Sequence, residues 1–210
     1  MALFQKRPIT ESITPLYTLS ASKTTLIIGL GNPEDEYSGT RHNIGFAAVD
    51  AFHESNDFEP WVHKKDLKCH LSQKTLGATR VLLAKPTTYM NNSGEAAQAI
   101  AAFYKLGVGQ IVAMYDELDI PFGQIRTRLG GGAAGHNGVK SLIQHLGEDF
   151  GRIRIGIGPK VPEQMDSADF VLSRFSQTEQ DRIHDLTRET TALLTEIIYG
   201  SQLNPETRSF

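Results

Sequence analysis

One cysteine in 210 residues, Cys69, rules out an internal disulfide framework and leaves any zinc site dependent on other ligand types. A reducing, cytoplasmic location is the simplest expectation. No apolar run approaches the roughly 20 residues of a membrane-spanning helix, so no membrane partner is expected. The seven histidines, at 42, 53, 63, 70, 136, 145 and 184, show no ligand spacing with acids or with Cys69, and no metal site is predicted. Positive charge is not in excess either: the net charge is −3. Residues 1–24 have neither the apolar centre of a secretory signal nor a clear basic amphipathic helix, and read as a poorly ordered N-terminal extension. Repeats, low-complexity tracts and a second core are absent, which leaves one domain over residues 25–210.

What is there is an alternation of two hydrophobic periods. The run Leu26-Ile27-Ile28 breaks at Gly29-Leu30-Gly31-Asn32-Pro33, as a buried strand entering a tight turn does. Residues 43–54 carry an apolar face at Ile44, Ala47, Ala48, Ala51 and Phe52 and predict a helix capped by Asn43. A hairpin is expected over residues 70–74 and 79–85, then a helix over 94–106 capped by Asn92 or Ser93, with Glu95 three residues after Asn92 as in a capping box, and a stop at Gly107. Further strands are predicted at 110–115, 124–129 and 152–157. Helices are predicted at 138–146, with Asn137 as cap, and from the Ser176–Glu179 capping box to about residue 199. Residues 55–69 and 160–169 read as polar loops. The expected class is therefore α/β: a single domain with a mixed, mostly parallel sheet and helices on both faces.

Such sheets collect ligands at the carboxyl ends of their strands. Gly29-Leu30-Gly31 does not make a dinucleotide fingerprint, because position 34 is glutamate and Pro33 removes an amide donor. His42 lies there just before a helix start, where an isolated histidine is more often structural than chemical. Asp116, at the end of the next buried strand, is the kind of partner that orients an imidazole and stabilises its protonated form. No serine or cysteine sits in a nucleophile-elbow context, so water is the expected nucleophile. Asn32, Asn91 and Asn137 could serve as turn or cap residues; as amides that donate and accept they also suit a peptide backbone or carbonyl.

Charge is unevenly spread. Residues 120–160 carry six Lys/Arg (among them Arg126, Arg128, Arg152 and Arg154) against two acids, whereas residues 161–210 carry four against nine. In strand 124–129 the pattern puts Gln124, Arg126 and Arg128 on one side and Ile125, Thr127 and Leu129 on the other; in strand 152–157 the two arginines oppose three isoleucines. A local basic surface fits an anionic partner or a solvated face. The Gly130–Gly135 run offers exposed amides for a phosphate, or simply a flexible hairpin tip.

Taken together, Gly29-Leu30-Gly31-Asn32-Pro33, Tyr37, Thr40-Arg41-His42-Asn43-Ile44-Gly45, Lys85-Pro86-Thr87-Thr88-Tyr89-Met90-Asn91, Asp116-Glu117-Leu118-Asp119, the Gly130–Gly138 loop and Arg152–Gly158 resemble the bacterial peptidyl-tRNA hydrolase family, in family order. The resemblance implies a single α/β domain without metal or cofactor, working as a monomer. It implies hydrolysis of the ester between a peptide and the 3′-terminal ribose of tRNA, with peptidyl-tRNA as partner. By position, His42 matches the catalytic histidine and Asp116 the acid that orients it. Asn32 and Asn91 match asparagines lining the cleft, and Asn137 one beside it that places substrate and water. Tyr37 matches a residue at the tRNA 3′ end; Arg128 and Arg154 match basic positions that clamp the 5′-phosphate. The extension and the Ala133-Ala134 pair depart from the family pattern. Two other classes compete: a non-catalytic RNA-binding member of the splicing-factor kind, and a general esterase or peptidase acting on small substrates.

Overall fold

A computed structural model describes residues 23–200 and 202–210. The expected extension thus lies outside the described residues as far as residue 22, while Lys23 and Thr24 belong to the first strand.

Strand β1 (Lys23–Gly29) is the centre of an eight-stranded sheet. The others are β2 (Val62–Lys64), β3 (Cys69–Leu76), β4 (Thr79–Pro86), β5 (Ile111–Pro121), β6 (Gln124–Leu129), β7 (Gly151–Gly158) and β8 (Thr207–Ser209), in the spatial order β2-β3-β4-β1-β5-β7-β6-β8. The four central strands are parallel neighbours, and antiparallel pairs finish both edges. Only β3 and β6 run against the rest, so the sheet is mixed and mostly one-directional, as expected.

Alternate residues of β1 feed two cores. Ile27 packs under helix α1 (Ile44–Ser55) and helix α5 (Gln177–Gly200); Leu26 and Ile28 pack under helices α2 (Ser93–Tyr104) and α3 (Asn137–Leu146). Large side chains such as Phe52 and Ile100 are fully buried there, each contributing on the order of 1.5–3 kcal/mol. From β1 the chain leaves through α1 to the β2–β4 side and returns through α2, on the opposite face, to β5. That reversal opens a crevice at the carboxyl end of β1.

The first turn of α1 presses against the β1–β5 seam. A Cβ added at Gly45 would fall on the Met114 carbonyl oxygen and within 2.6 Å of the Leu30 carbonyl oxygen, both main-chain atoms that cannot rotate away. Gly45→Ala is therefore expected to destabilise the fold by about 3 kcal/mol, the upper end for overpacking, measurable by urea unfolding. Wild-type stability in that variant would disprove the close approach.

Several local expectations are corrected. Short edge strands β2 and β8, and the six-residue helix α4 (Ser167–Leu172), lie where the sequence reads as loop or tail. Strand β5 continues through the polar run Asp116–Asp119 to Pro121, so Asp116 lies within the strand rather than after it. Leu129, expected inward, is 62% exposed. Helix α2 ends on Lys105 in the left-handed region, φ 55°, not at Gly107. Neither Asn43 nor Asn92 caps a helix with its side chain. Instead Asn43 bonds Asn32, and Asn92 Nδ2 donates to Glu95 Oε1 at 3.0 Å. Asn137 is the first residue of α3, and the cap is His136.

Candidate active site

Leu30-Gly31-Asn32 follows β1 directly, and Asn43 locks that turn from across the crevice. The Asn32 amide donates to Asn43 Oδ1 at 2.9 Å, and Asn43 Nδ2 donates to the Asn32 carbonyl at 2.9 Å. Asn32 in turn uses its side-chain oxygen to accept the Met90 amide at 2.8 Å, drawing the β4–α2 connection to the same place.

Between these anchors the single 3-10 turn Arg41–Asn43 carries His42. Arg41 is held as firmly as Asn43. Its guanidinium donates to both carboxylate oxygens of Glu179, at 2.8 and 2.7 Å, and lies over Phe170 and Phe175. Its amide donates to the Ser173 carbonyl at 3.0 Å. Burial pushes the Glu179 carboxyl up, but its bonds from Arg41 and Ser176 outweigh that and hold it below the usual carboxylate range. Fixed neighbours on both sides leave His42 little freedom.

His42 Nδ1 lies 2.9 Å from Asp116 Oδ1, and both side chains are buried. The pairing of β1 with β5 ends at Gly29 opposite Met114, so Asp116 projects just past the end of the neighbouring strand. His136 Nε2 meets the same Asp116 oxygen, also at 2.9 Å. Burial pushes the Asp116 carboxyl up, yet the two histidines prevail and keep it well below the usual carboxylate range. Sequence spacing gave no metal-ligand grouping, but folding brings the ligand-type atoms of His42, Asp116 and His136 within 4.8 Å of one another. Here they face each other as hydrogen-bond donors and acceptor.

These residues form the floor of a cleft of ≈ 560 Å³. Asn32, His42, Asn91, Asp116 and Asn137 all line it, and Met90, Leu118, Val171 and Leu172 give it apolar walls. Tyr37 is half-buried on a 3-10 turn outside the cleft lining. Tyr89 stands at the mouth, 52% exposed. The nearby Glu34 carboxylate raises the pKa of its hydroxyl, and the Tyr37 phenol is close enough to add to that.

Arg128 and Arg154 lie outside the cleft, on the β6–β7 ladder, where Arg126 opposes Arg154 and Arg128 opposes Arg152. The four Nε atoms are buried without hydrogen-bond partners. Arg152 is wholly buried and donates to the carbonyls of Gly131, Gly132 and Glu148, supporting the glycine loop from below. Arg128 donates to the Gly132 carbonyl at 2.9 Å. The ladder abuts the cleft: Arg154 lies 3.8 Å from the carboxylate of Glu117, which lines it.

Sequence reasoning missed His136, Tyr89 and the α4 wall. A histidine directly before a predicted helix start was the one visible signal for the first; caps are ordinarily Ser, Thr, Asp or Asn.

The arrangement suits general-base catalysis: a buried carboxylate, an imidazole oriented by it, and side-chain amides around the cavity. The sequence pattern of the family described as "Peptidyl-tRNA hydrolase" matches residues 26–209. A peptidyl-tRNA hydrolase of Rhizobium etli is 49% identical over 155 residues, 73% of this chain and 63% of that protein. One from a Bradyrhizobium strain is 47% identical over 162 residues, 77% of this chain and 79% of that protein. The crystal structure of peptidyl-tRNA hydrolase from Acinetobacter baumannii superposes with a TM-score of 0.78 at 32% identity, covering 86% of this chain and 91% of that one. No helix among the described residues is long and apolar enough to cross a membrane. A match over nearly the whole described length, with the same α/β sheet, means that this chain belongs to the peptidyl-tRNA hydrolase family.

Proposed function

We propose that this cleft hydrolyses the ester joining a peptide to the 3′-terminal ribose of tRNA, releasing free peptide and reusable tRNA. The observation that carries the reading is the 2.9 Å contact of His42 Nδ1 with Asp116 Oδ1 on the floor of an asparagine-lined cleft. With Nδ1–H donated to Asp116, His42 Nε2 is the free base. It takes a proton from water as the water oxygen adds to the ester carbonyl, and returns that proton to the ribose oxygen as the C–O bond breaks. The carbonyl oxygen becomes an oxyanion in between, and side-chain amides of Asn32 and Asn91 are donors suited to it. Asn137 orders the substrate and water at the opposite wall. Tyr37, beside Tyr89, meets the 3′ end. The enzyme acts in the cytoplasm as a monomer and uses no metal.

The arginine ladder supplies the other end of the substrate. In an acceptor stem the 5′-phosphate lies near the 3′ end, and Arg154 lies next to the cleft through Glu117. Arg128→Ala and Arg154→Ala are each expected to raise KM more than they lower kcat. Each should also reduce the slope of log affinity against log salt by about one. Unchanged tRNA affinity in both variants would remove them from the phosphate site.

The direct test incubates the protein with a peptidyl-tRNA and follows peptide release. Tight tRNA binding without release would favour a non-catalytic RNA-binding role. Equal turnover of a simple aminoacyl ester would favour a general esterase.

A further inference from the structure

The proposed mechanism leaves one partner of Asp116, the half-buried His136, without a task. His136 and His42 share its Oδ1 atom, each at 2.9 Å, with their rings 5.0 Å apart. The far side of the His136 ring sets it apart. Its Nδ1 accepts the backbone N–H groups of Gly138 at 3.1 Å and Val139 at 3.2 Å, in the opening turn of α3. A ring nitrogen that accepts N–H bonds must keep its lone pair, so the ring proton belongs on Nε2 and points at Asp116. A proton on Nδ1 would break both capping bonds and face the positive end of the helix.

We infer that His136 is a positioning residue: the start of α3 fixes its tautomer, and its Nε2–H holds Asp116 where the shared oxygen can accept the His42 Nδ1–H. The inference rests on the reading of His42 as the base. The carboxylate charge is thereby divided between two donors. Without the His136 donor, more of that charge would act on His42 and favour its protonated, inactive form. The other charged neighbours already have partners: Glu117 with Arg154, and Arg41 with Glu179. The Tyr115 ring packs edge-on against His136, 4.9 Å between centroids. A change at 136 therefore alters the donor to Asp116 without freeing another charge beside it.

His136→Asn separates the two roles of the ring. Asparagine is among the best helix caps, but its amide is too short to reach Asp116. His136→Ala loses both roles. The asparagine variant is expected to fold, to keep KM, and to lose roughly tenfold in kcat near neutral pH. The acid limb of its pH–rate profile should move up by about one unit, with the rate recovering in alkali. A merely structural loss would lower the rate equally at every pH.

Nitrogen-15 spectra of the wild-type imidazole rings read the tautomers directly, whether or not either variant folds. His136 should carry its proton on Nε2 and His42 on Nδ1. A His136 ring protonated on Nδ1 near neutral pH, or an asparagine variant with the wild-type profile, would overturn the assignment. Ring signals do not depend on turnover, so a wild-type protein that fails to cleave peptidyl-tRNA refutes the proposed reaction and leaves the tautomer result to stand separately.

Discussion

His42→Ala is expected to lower kcat on peptidyl-tRNA by roughly 10²–10⁴-fold, the range for loss of a positioned general base, while tRNA affinity stays near that of the wild type. The split follows from where the groups lie. His42 is buried at the cleft floor, 8% exposed, and offers one ring nitrogen to the reaction. The proposed phosphate contacts come from β6 and β7, outside the cleft, and are untouched by the substitution. Its backbone is held by Arg41 and Asn43 rather than by its own ring, so the turn should survive the change. Single-turnover peptide release together with tRNA titration measures both quantities. Near wild-type hydrolysis by the variant would take His42 out of the mechanism.

Asp116→Asn is expected to be at least as severe, about 10⁴-fold in kcat: an amide oxygen could still accept from both histidines, but it carries no charge to stabilise the imidazolium that forms on His42. If its NH₂ turns toward His42, the imidazole must present Nδ1 as acceptor. The ring proton then moves to Nε2, the atom needed as base. A second signature lies in stability. The folded carboxyl is held below its ordinary range, so the ionised form contributes stability that is fully present above about pH 4–5 and is lost as pH falls through the folded value. The gap between wild type and variant in urea unfolding should therefore be widest above about pH 5 and narrow progressively as pH falls from about 4 toward the folded value. A gap independent of pH would mean that the charge of Asp116 is not favoured by the fold.

Much of this site was legible beforehand because its parts lie at punctuation marks in the chain. A β-branched run stopped by Gly-Leu-Gly-Asn-Pro marks a strand end, and His42 and Asn43 precede an apolar-periodic segment. Asp116 follows a run of buried residues. Local pattern gave no access to pairs joined only by folding. Asn43 reads as a helix cap until Asn32 offers a better pair of hydrogen bonds. Arg152 reads as an outward arginine until the glycine loop folds over it and supplies carbonyl acceptors. Strands β2 and β8 have three residues each and exist because β3 and β6 offer edges to pair with.

By itself, then, the amino-acid order determined the alternation of strands and helices, the single domain, and the family motifs with His42, Asp116 and the three asparagines. Those features depend on side-chain period and turn chemistry, which act over a few residues. Tertiary structure alone decided that His136 meets Asp116, that Tyr37 stands outside the cleft while Tyr89 lines it, and that the arginines stack beside the site. Each of these depends on how segments distant in the chain meet, where competition among partners for the same donor or acceptor settles the outcome.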